Sequence, residues 1–170
     1  MNIKLLLQRE HSKQLTLKIV DYVGDNRKRY KEIVQVVLGS DDVLAQRAAW
    51  VLGTIAESRP NLIIPYIDKL LTHFNNPIHN AIKRNTMRAL TFVSIPKKNY
   101  GKIVDVCFEF LLNPKTPPAI SIHAMIVLHE IIKEEEDLKR EFKLVLEDFM
   151  KTGGAGVKSR GRRILKELDR

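Results

Sequence analysis

The chain has 170 residues, 44% of them hydrophobic and 6% aromatic, enough for one domain or a short repeat array and too apolar for a disordered chain. Its 29 Lys and Arg against 20 Asp and Glu give a net charge of +9, which favours nucleic acid, anionic lipid or acidic protein as partners. A lone cysteine, Cys107, excludes an intrachain disulfide framework, and no apolar run approaches the roughly 18 residues of a membrane-spanning helix.

The opening MNIKLLLQREH has too short an apolar run for a signal peptide and no small-residue cleavage site, so the cytoplasm is the expected compartment. From there, apolar residues recur at three- and four-residue spacing almost throughout. Leu15–Val23 reads as a helix closed by Gly24-Asp25-Asn26, and Tyr30–Leu38 as a second closed by Gly39. Ser40, Asp41 and Asp42 are the candidate N-caps of a long helix running to about Glu57. Arg59-Pro60-Asn61 breaks it, and Leu62–Phe74 follows, with Pro65 tolerable only in a first turn. Beyond Asn75-Asn76-Pro77 come His79–Val93, Tyr100–Leu112 and Ala119–Ile132, separated by breaks around Pro96 and by the loop NPKTPP. The acidic run Glu134–Asp137 precedes Leu138–Met150, where acids suit the helix dipole. Gly153–Gly156 breaks the chain once more before Val157–Leu168. No segment alternates as a half-buried strand does, so the chain is all-α.

The helices repeat. Leu52 in RAAWVLGTI, Leu90 in NTMRALTFV, Leu128 in HAMIVLHEI and Leu165 in RGRRILKEL stand 38, 38 and 37 residues apart. A period near 40 with two helices per unit is the signature of an α-solenoid. The pattern resembles HEAT and armadillo repeats: DVLAQRAAWVLGTI is similar to a first HEAT helix, with an acid, a basic residue, small residues and a terminal Leu-Gly. The resemblance covers nearly the whole chain as about four and a half repeats. Asn85, His123 and Arg160 occupy the position of Arg47 in later copies. It implies a right-handed superhelix of four to five helical hairpins in a single domain, 1–170. An N-terminal cap spans about 1–23 and a polar C-terminal cap helix about 157–170.

Each candidate site has a packing alternative. Arg47 and Trp50 lie one turn apart on the flank of the stripe Leu44, Ala48, Val51, Leu52, Ile55. They are expected to serve packing, with Asp42, in a ladder between repeats. The rival reading is a phosphate-holding Arg beside a base-stacking Trp, which lacks a second aromatic at repeat spacing. His11, His73, His79, His123 and His129 include no i, i+4 pair and no HExxH, so no metal site or cofactor is expected. His129-Glu130 is one pair, where di-iron hydroxylases of the deoxyhypusine type need several. No nucleophile elbow, P-loop or dinucleotide fingerprint is present, and TGGAG lacks the preceding strand. Asp68, Asp105, Glu109, Glu147 and Asp148 fall on second helices and are expected to pair with Lys69, Lys102, Lys143 and Lys151 rather than act as bases. No catalytic residue is assigned.

The basic clusters carry the functional expectation. Arg27-Lys28-Arg29 with Lys31, Lys97-Lys98 with Lys102, and Lys139-Arg140 with Lys143 all fall near the start of a second helix. Equivalent positions in a repeat array come into register, so these cations, with Lys69, form a candidate binding edge. From Lys151 onward, seven basic residues face only Glu167 and Asp169, more than half of the net charge. The expected function is a non-enzymatic scaffold holding an acidic protein or peptide on the second helices. The alternative is a nucleic-acid binder, similar in architecture to the HEAT-like alkylation-repair DNA glycosylases, which surround a catalytic Asp with several aromatics. An enzyme of unrecognised type is the third class.

Overall fold

Ten α-helices and four short 3-10 turns follow one another with no strand among the described residues, 1–169 of a computed structural model. They form two compact units, Met1–Pro96 and Lys97–Arg170.

The first unit holds α1 (Ile3–Arg9), α2 (Lys13–Val23), α3 (Arg27–Val37), α4 (Asp42–Ser58), α5 (Ile67–His73) and α6 (Asn80–Leu90). Short polar residues start these helices by accepting orphan backbone N–H groups. Asn2 accepts from Leu5, Ser12 from Leu15, Asn26 from Lys28 and Arg29, and Asp41 from Leu44. Among the three residues offered for the α4 cap, Asp41 therefore caps, and Asp42 sits exposed in the first turn, where a carboxylate suits the dipole. Gly24 ends α2 at a φ of +48°, a conformation that a Cβ would strain.

The centre of this unit is α4, which packs against α1, α2, α3 and α6. Leu44, Ala48, Val51, Leu52 and Ile55 are buried, as the predicted stripe requires, but so are Ala45, Ala49 and Ala56 on other faces. Small residues let neighbouring backbones come close. A Cβ on Gly53 would stand 3.2 Å from the Asn85 carbonyl oxygen of α6. Asn85 is itself buried and donates from Nδ2 to Ala81 O at 2.9 Å. Arg88 of α6 pairs with Glu57 at the end of α4.

The predicted helix over 62–74 starts five residues later than expected. Two 3-10 turns, Pro60–Leu62 and Ile64–Tyr66, precede α5, because two prolines within six residues remove the N–H donors that α-helical turns need. Between them Ile63 is fully buried. Tyr66 meets the buried ring of Tyr30 from α3, with centroids 6.0 Å apart. The helix predicted over 79–93 is shorter at both ends: His79 is its cap, accepting from Ala81 N at 3.1 Å, and Leu90 its last residue.

The second unit holds α7 (Tyr100–Leu112), α8 (Pro118–Ile132), α9 (Lys139–Thr152) and α10 (Ala155–Leu168). Cys107, Met125, Leu128 and Phe142 are fully buried in it. Ser121 of α8 donates to the Phe110 carbonyl of α7 at 3.4 Å. Gly161 of α10 lies where a Cβ would come 2.2 Å from the Met150 sulfur of α9. That close approach sets the inward face of α10 as Val157, Gly161, Ile164 and Leu168. Leu52, Leu90 and Leu128 are buried as the repeat predicts, but Leu165 is half-exposed, and Ile164 takes the interior position.

Candidate binding surface

The first basic cluster is split by its own packing. Arg29 turns back along α3, its guanidinium 4.1 Å over the Tyr22 ring, and donates to the Tyr22 carbonyl at 2.7 Å. It holds α2 to α3 and is not offered to a ligand. Arg27, Lys28 and Lys31 are exposed and make no ion pair among the described residues. The neighbouring acid, Asp25, is taken by Arg59 at 3.4 Å. The N-terminus of α3 adds its dipole to this positive end. Arg27 also lines a cavity of about 290 Å³ with Asn61, Leu62, Ile64, Pro65 and Tyr66. Lys69 of α5 is exposed and borders a second cavity, of about 360 Å³.

In the second unit, Lys97 and Lys98 stand in the 3-10 turn Lys97–Asn99 that leads into α7, and Lys139 and Arg140 open α9. Lys97 pairs with Glu134 at 3.4 Å, and the run Glu134–Asp137 stands beside the other cations. Lys143 pairs with Asp169 rather than Glu147. That bond is the main cause of its raised pKa. Lys102 is half-buried and engaged. Lys98 and Arg140 are exposed and Lys139 half-buried, with no ion pair among the described residues. Of the acids on second helices, Asp148 pairs with Lys151 at 3.1 Å.

Two features lie outside the candidate surface residues read from the sequence. α10 exposes Arg162, Arg163 and Lys166, and the two acids at its C-terminal end lie near partners. Asp169 goes to Lys143, and Glu167 lies 3.7 Å from the Nε2 atom of His129. The alternation of cations and inward apolar residues at three- and four-residue spacing was the available signal. The other is His73. Its Nε2 atom is buried without a hydrogen-bond partner, and it lines the cavity beside Lys69. Nothing in the sequence marks it.

Arg47 donates to the carbonyls of Leu7 at 2.5 Å and Gln8 at 3.1 Å, which end α1. Its later counterpart Asn85 bonds within its own helix, so the two copies do not make the same contact. Trp50 is half-exposed, and the edge of the His11 ring meets it at 5.1 Å and 88°. Cys107 is fully buried, and the loss of solvent pushes its thiol far above the usual range. Among the described residues no three His, Cys, Asp or Glu side chains gather as a metal centre, and no helix is long and apolar enough to cross a membrane.

Paired helices joined by short turns, with polar groups gathered at the starts of second helices, define a helical-repeat protein. The chain belongs to the HEAT repeat domain family, which matches residues 3–168. No curated protein and no solved structure gives a significant match to it. Its class is that of an all-α, solenoid-type scaffold, a class that generally mediates protein interactions.

Proposed function

We propose that the protein is a non-enzymatic, cytoplasmic scaffold that holds an acidic protein or peptide segment on its second helices. One observation carries this reading. At the start of α3, Arg27, Lys28 and Lys31 are exposed and make no ion pair among the described residues, while Asp25 pairs with Arg59 and Arg29 bonds the Tyr22 carbonyl. Like charges held together at a dipole's positive end repel one another and are relieved by an anionic partner. Mixed apolar and cationic surroundings suit a peptide, which brings side chains as well as charge. The test is fluorescence anisotropy with labelled Glu-rich peptides at physiological salt, against Lys-rich controls. Binding of the acidic peptides that weakens on combined charge reversal of Lys28, Lys31, Lys98 and Arg140 is expected. Absence of binding, or binding unchanged by the reversal, sinks the reading.

A nucleic acid is the second reading, and the outward face of α10 favours it. Lys158, Arg162 and Lys166 recur every four residues, about 6 Å of helix rise apart, close to the spacing of phosphates along a strand. Binding of duplex DNA that falls steeply with salt, and that Arg162→Glu with Lys166→Glu removes, would favour it over the peptide reading.

A further inference from the structure

The cavity at the start of α3 is walled by a segment that cannot continue as α-helix. Pro60 and Pro65 lack the N–H donors of an α-helical ladder, and residues 60–66 settle into the two 3-10 turns Pro60–Leu62 and Ile64–Tyr66. Ile63, between them, is fully buried and pins the segment to the core. Tyr66 pins it a second time, through the buried ring of Tyr30, 6.0 Å away between centroids. The residues around these anchors are left at the surface. Asn61 and Pro65 are exposed, and Leu62 and Ile64 are half-buried. With Tyr66 and Arg27 they enclose about 290 Å³. Walls held from the core in this way are formed before a ligand arrives, so little ordering cost falls on binding.

Size and lining together select the occupant. The volume is that of about ten water molecules, at the low end of ligand sites, so it takes a single residue and not a longer run. Leu62, Ile64, Pro65 and Tyr66 make most of the wall apolar, and none of the six residues that line it is acidic. Arg27 is the charged one among them, and it makes no ion pair among the described residues. Asp25, two positions before it, pairs with Arg59. A guanidinium fork matches a carboxylate through two parallel hydrogen bonds. The Asn61 amide adds a donor for a carboxylate oxygen and an acceptor for a backbone N–H. An internal leucine brings no charge to Arg27. An internal glutamate brings only a short methylene stem to the apolar walls. A chain-terminal apolar residue carries both groups on one Cα, which is what one small cavity with one cation accommodates.

We infer that this cavity seats the C-terminal residue of a partner polypeptide. An aliphatic side chain such as that of leucine packs against Leu62, Ile64 and Tyr66, and its α-carboxylate pairs with Arg27. This rests on the acidic-partner reading above and deepens it by naming the residue that anchors the partner.

The experiment titrates the isotope-labelled full chain with N-acetylated Gly-Ser-Gly-Ser-Leu and reads the amide NMR shifts of Leu62, Ile64 and Tyr66. The comparison ligands are the same peptide amidated at its C-terminus, its terminal Leu→Ala version, isocaproate, and an amidated Glu-rich peptide. The proteins are the wild type, Arg27→Gln, Asn61→Ala, and Lys98→Glu with Arg140→Glu, each checked by circular dichroism. Saturable shifts at the three amides are expected with the free-carboxylate peptide. Amidation, the terminal alanine and Arg27→Gln should each weaken binding at least tenfold, Asn61→Ala at least threefold, and the remaining variant less than threefold. Equal binding of the amidated peptide, or binding unchanged by both Arg27→Gln and Asn61→Ala, would overturn the proposal. Isocaproate bound as tightly as the peptide would assign the cavity to free carboxylic acids and overturn it too. Binding of the Glu-rich peptide without the leucine carboxylate would keep the acidic-segment reading and overturn the terminal seat. Binding of the leucine carboxylate without the Glu-rich peptide would keep the seat and sink the acidic-segment reading, and binding of neither would overturn both.

Discussion

Arg47 is the residue on which packing and ligand binding make opposite predictions. Its guanidinium ends on the Leu7 and Gln8 carbonyls, two of the acceptors that the last turn of α1 leaves without intrahelical donors. Arg47→Met keeps most of the apolar stem and removes the donors. Two hydrogen bonds from a half-buried charge, net of the water that replaces them, contribute about 1 kcal/mol each. The positive charge at a helix C-terminus adds a few tenths of a kcal/mol more. The expected loss is therefore ~2 kcal/mol, or roughly 4–8 °C in Tm for a chain of this length. α1 has only seven residues and cannot hold its shape without docking, so its amides should exchange faster than those of α4. The lone tryptophan, one turn away, reports urea unfolding of the first unit directly. Trp50→Phe, followed by circular dichroism, should also cost stability, since it removes ring area and alters the edge contact with His11. Neither substitution should change affinity for an acidic peptide. An Arg47→Met protein within 0.5 kcal/mol of wild type that has lost a ligand would refute this account and restore Arg47 to a binding role.

Three further outcomes follow from particular contacts. The pKa of His129 is lowered, first by burial and then by Lys133, with Glu167 and Glu130 opposing. The unfolded chain therefore takes up a proton below about pH 6.5 that the folded chain refuses, and stability falls with pH from there to the folded pKa. Glu167→Gln should lower that folded pKa further and Lys133→Gln raise it, both read from the His129 Hε1 shift in an NMR titration; the opposite order refutes the assignment. Gly161→Ala should destabilise the α9–α10 contact in the wild type, because its Cβ meets Met150 Sδ. In a Met150→Ala background the same change should gain up to about 1 kcal/mol of helix propensity, and a double-mutant cycle showing no coupling would contradict the packing. Cys107 should react with Ellman's reagent at pH 8 only as fast as the chain opens, and an immediate stoichiometric reaction would contradict its burial.

Much of the fold was legible because the core follows one period. Leu52, Leu90 and Leu128 share a position in the repeat and share burial, and the helix Tyr100–Leu112 has the bounds its apolar spacing predicts. Where the reading slipped, a local rule was overridden by something the period does not encode. Pro60 and Pro65 turned the start of a predicted helix into two 3-10 turns, since each lacks a donor for the α-helical ladder. On α10, Gly161 lies close against Met150 and Ile164 rather than Leu165 takes the buried position, a choice the 37-residue step does not encode.

Candidate binding residues were less legible because a basic residue's role depends on which group lies opposite it. Arg27 and Arg29 are two positions apart in one cluster, yet one lines a cavity and the other lies on Tyr22. Lys97 and Lys98 are adjacent, and only the first meets Glu134. Helical geometry sends residues one or two apart to different sides, so a cluster in sequence is rarely a cluster in space. The converse holds for Arg27, Lys31 and Leu38, which span twelve residues at four- and seven-residue steps and fall on one helical stripe. A +9 chain thus has fewer cations available for a ligand than its sequence suggests, and their distribution says more about the partner than their number. Arg27 at the start of α3 lines a mostly apolar cavity and suits a peptide, whereas Arg162 and Lys166 on α10 recur at regular spacing and suit a phosphate backbone. Reversing Lys31 and reversing Arg162 should therefore separate the two kinds of partner even if both weaken on adding salt.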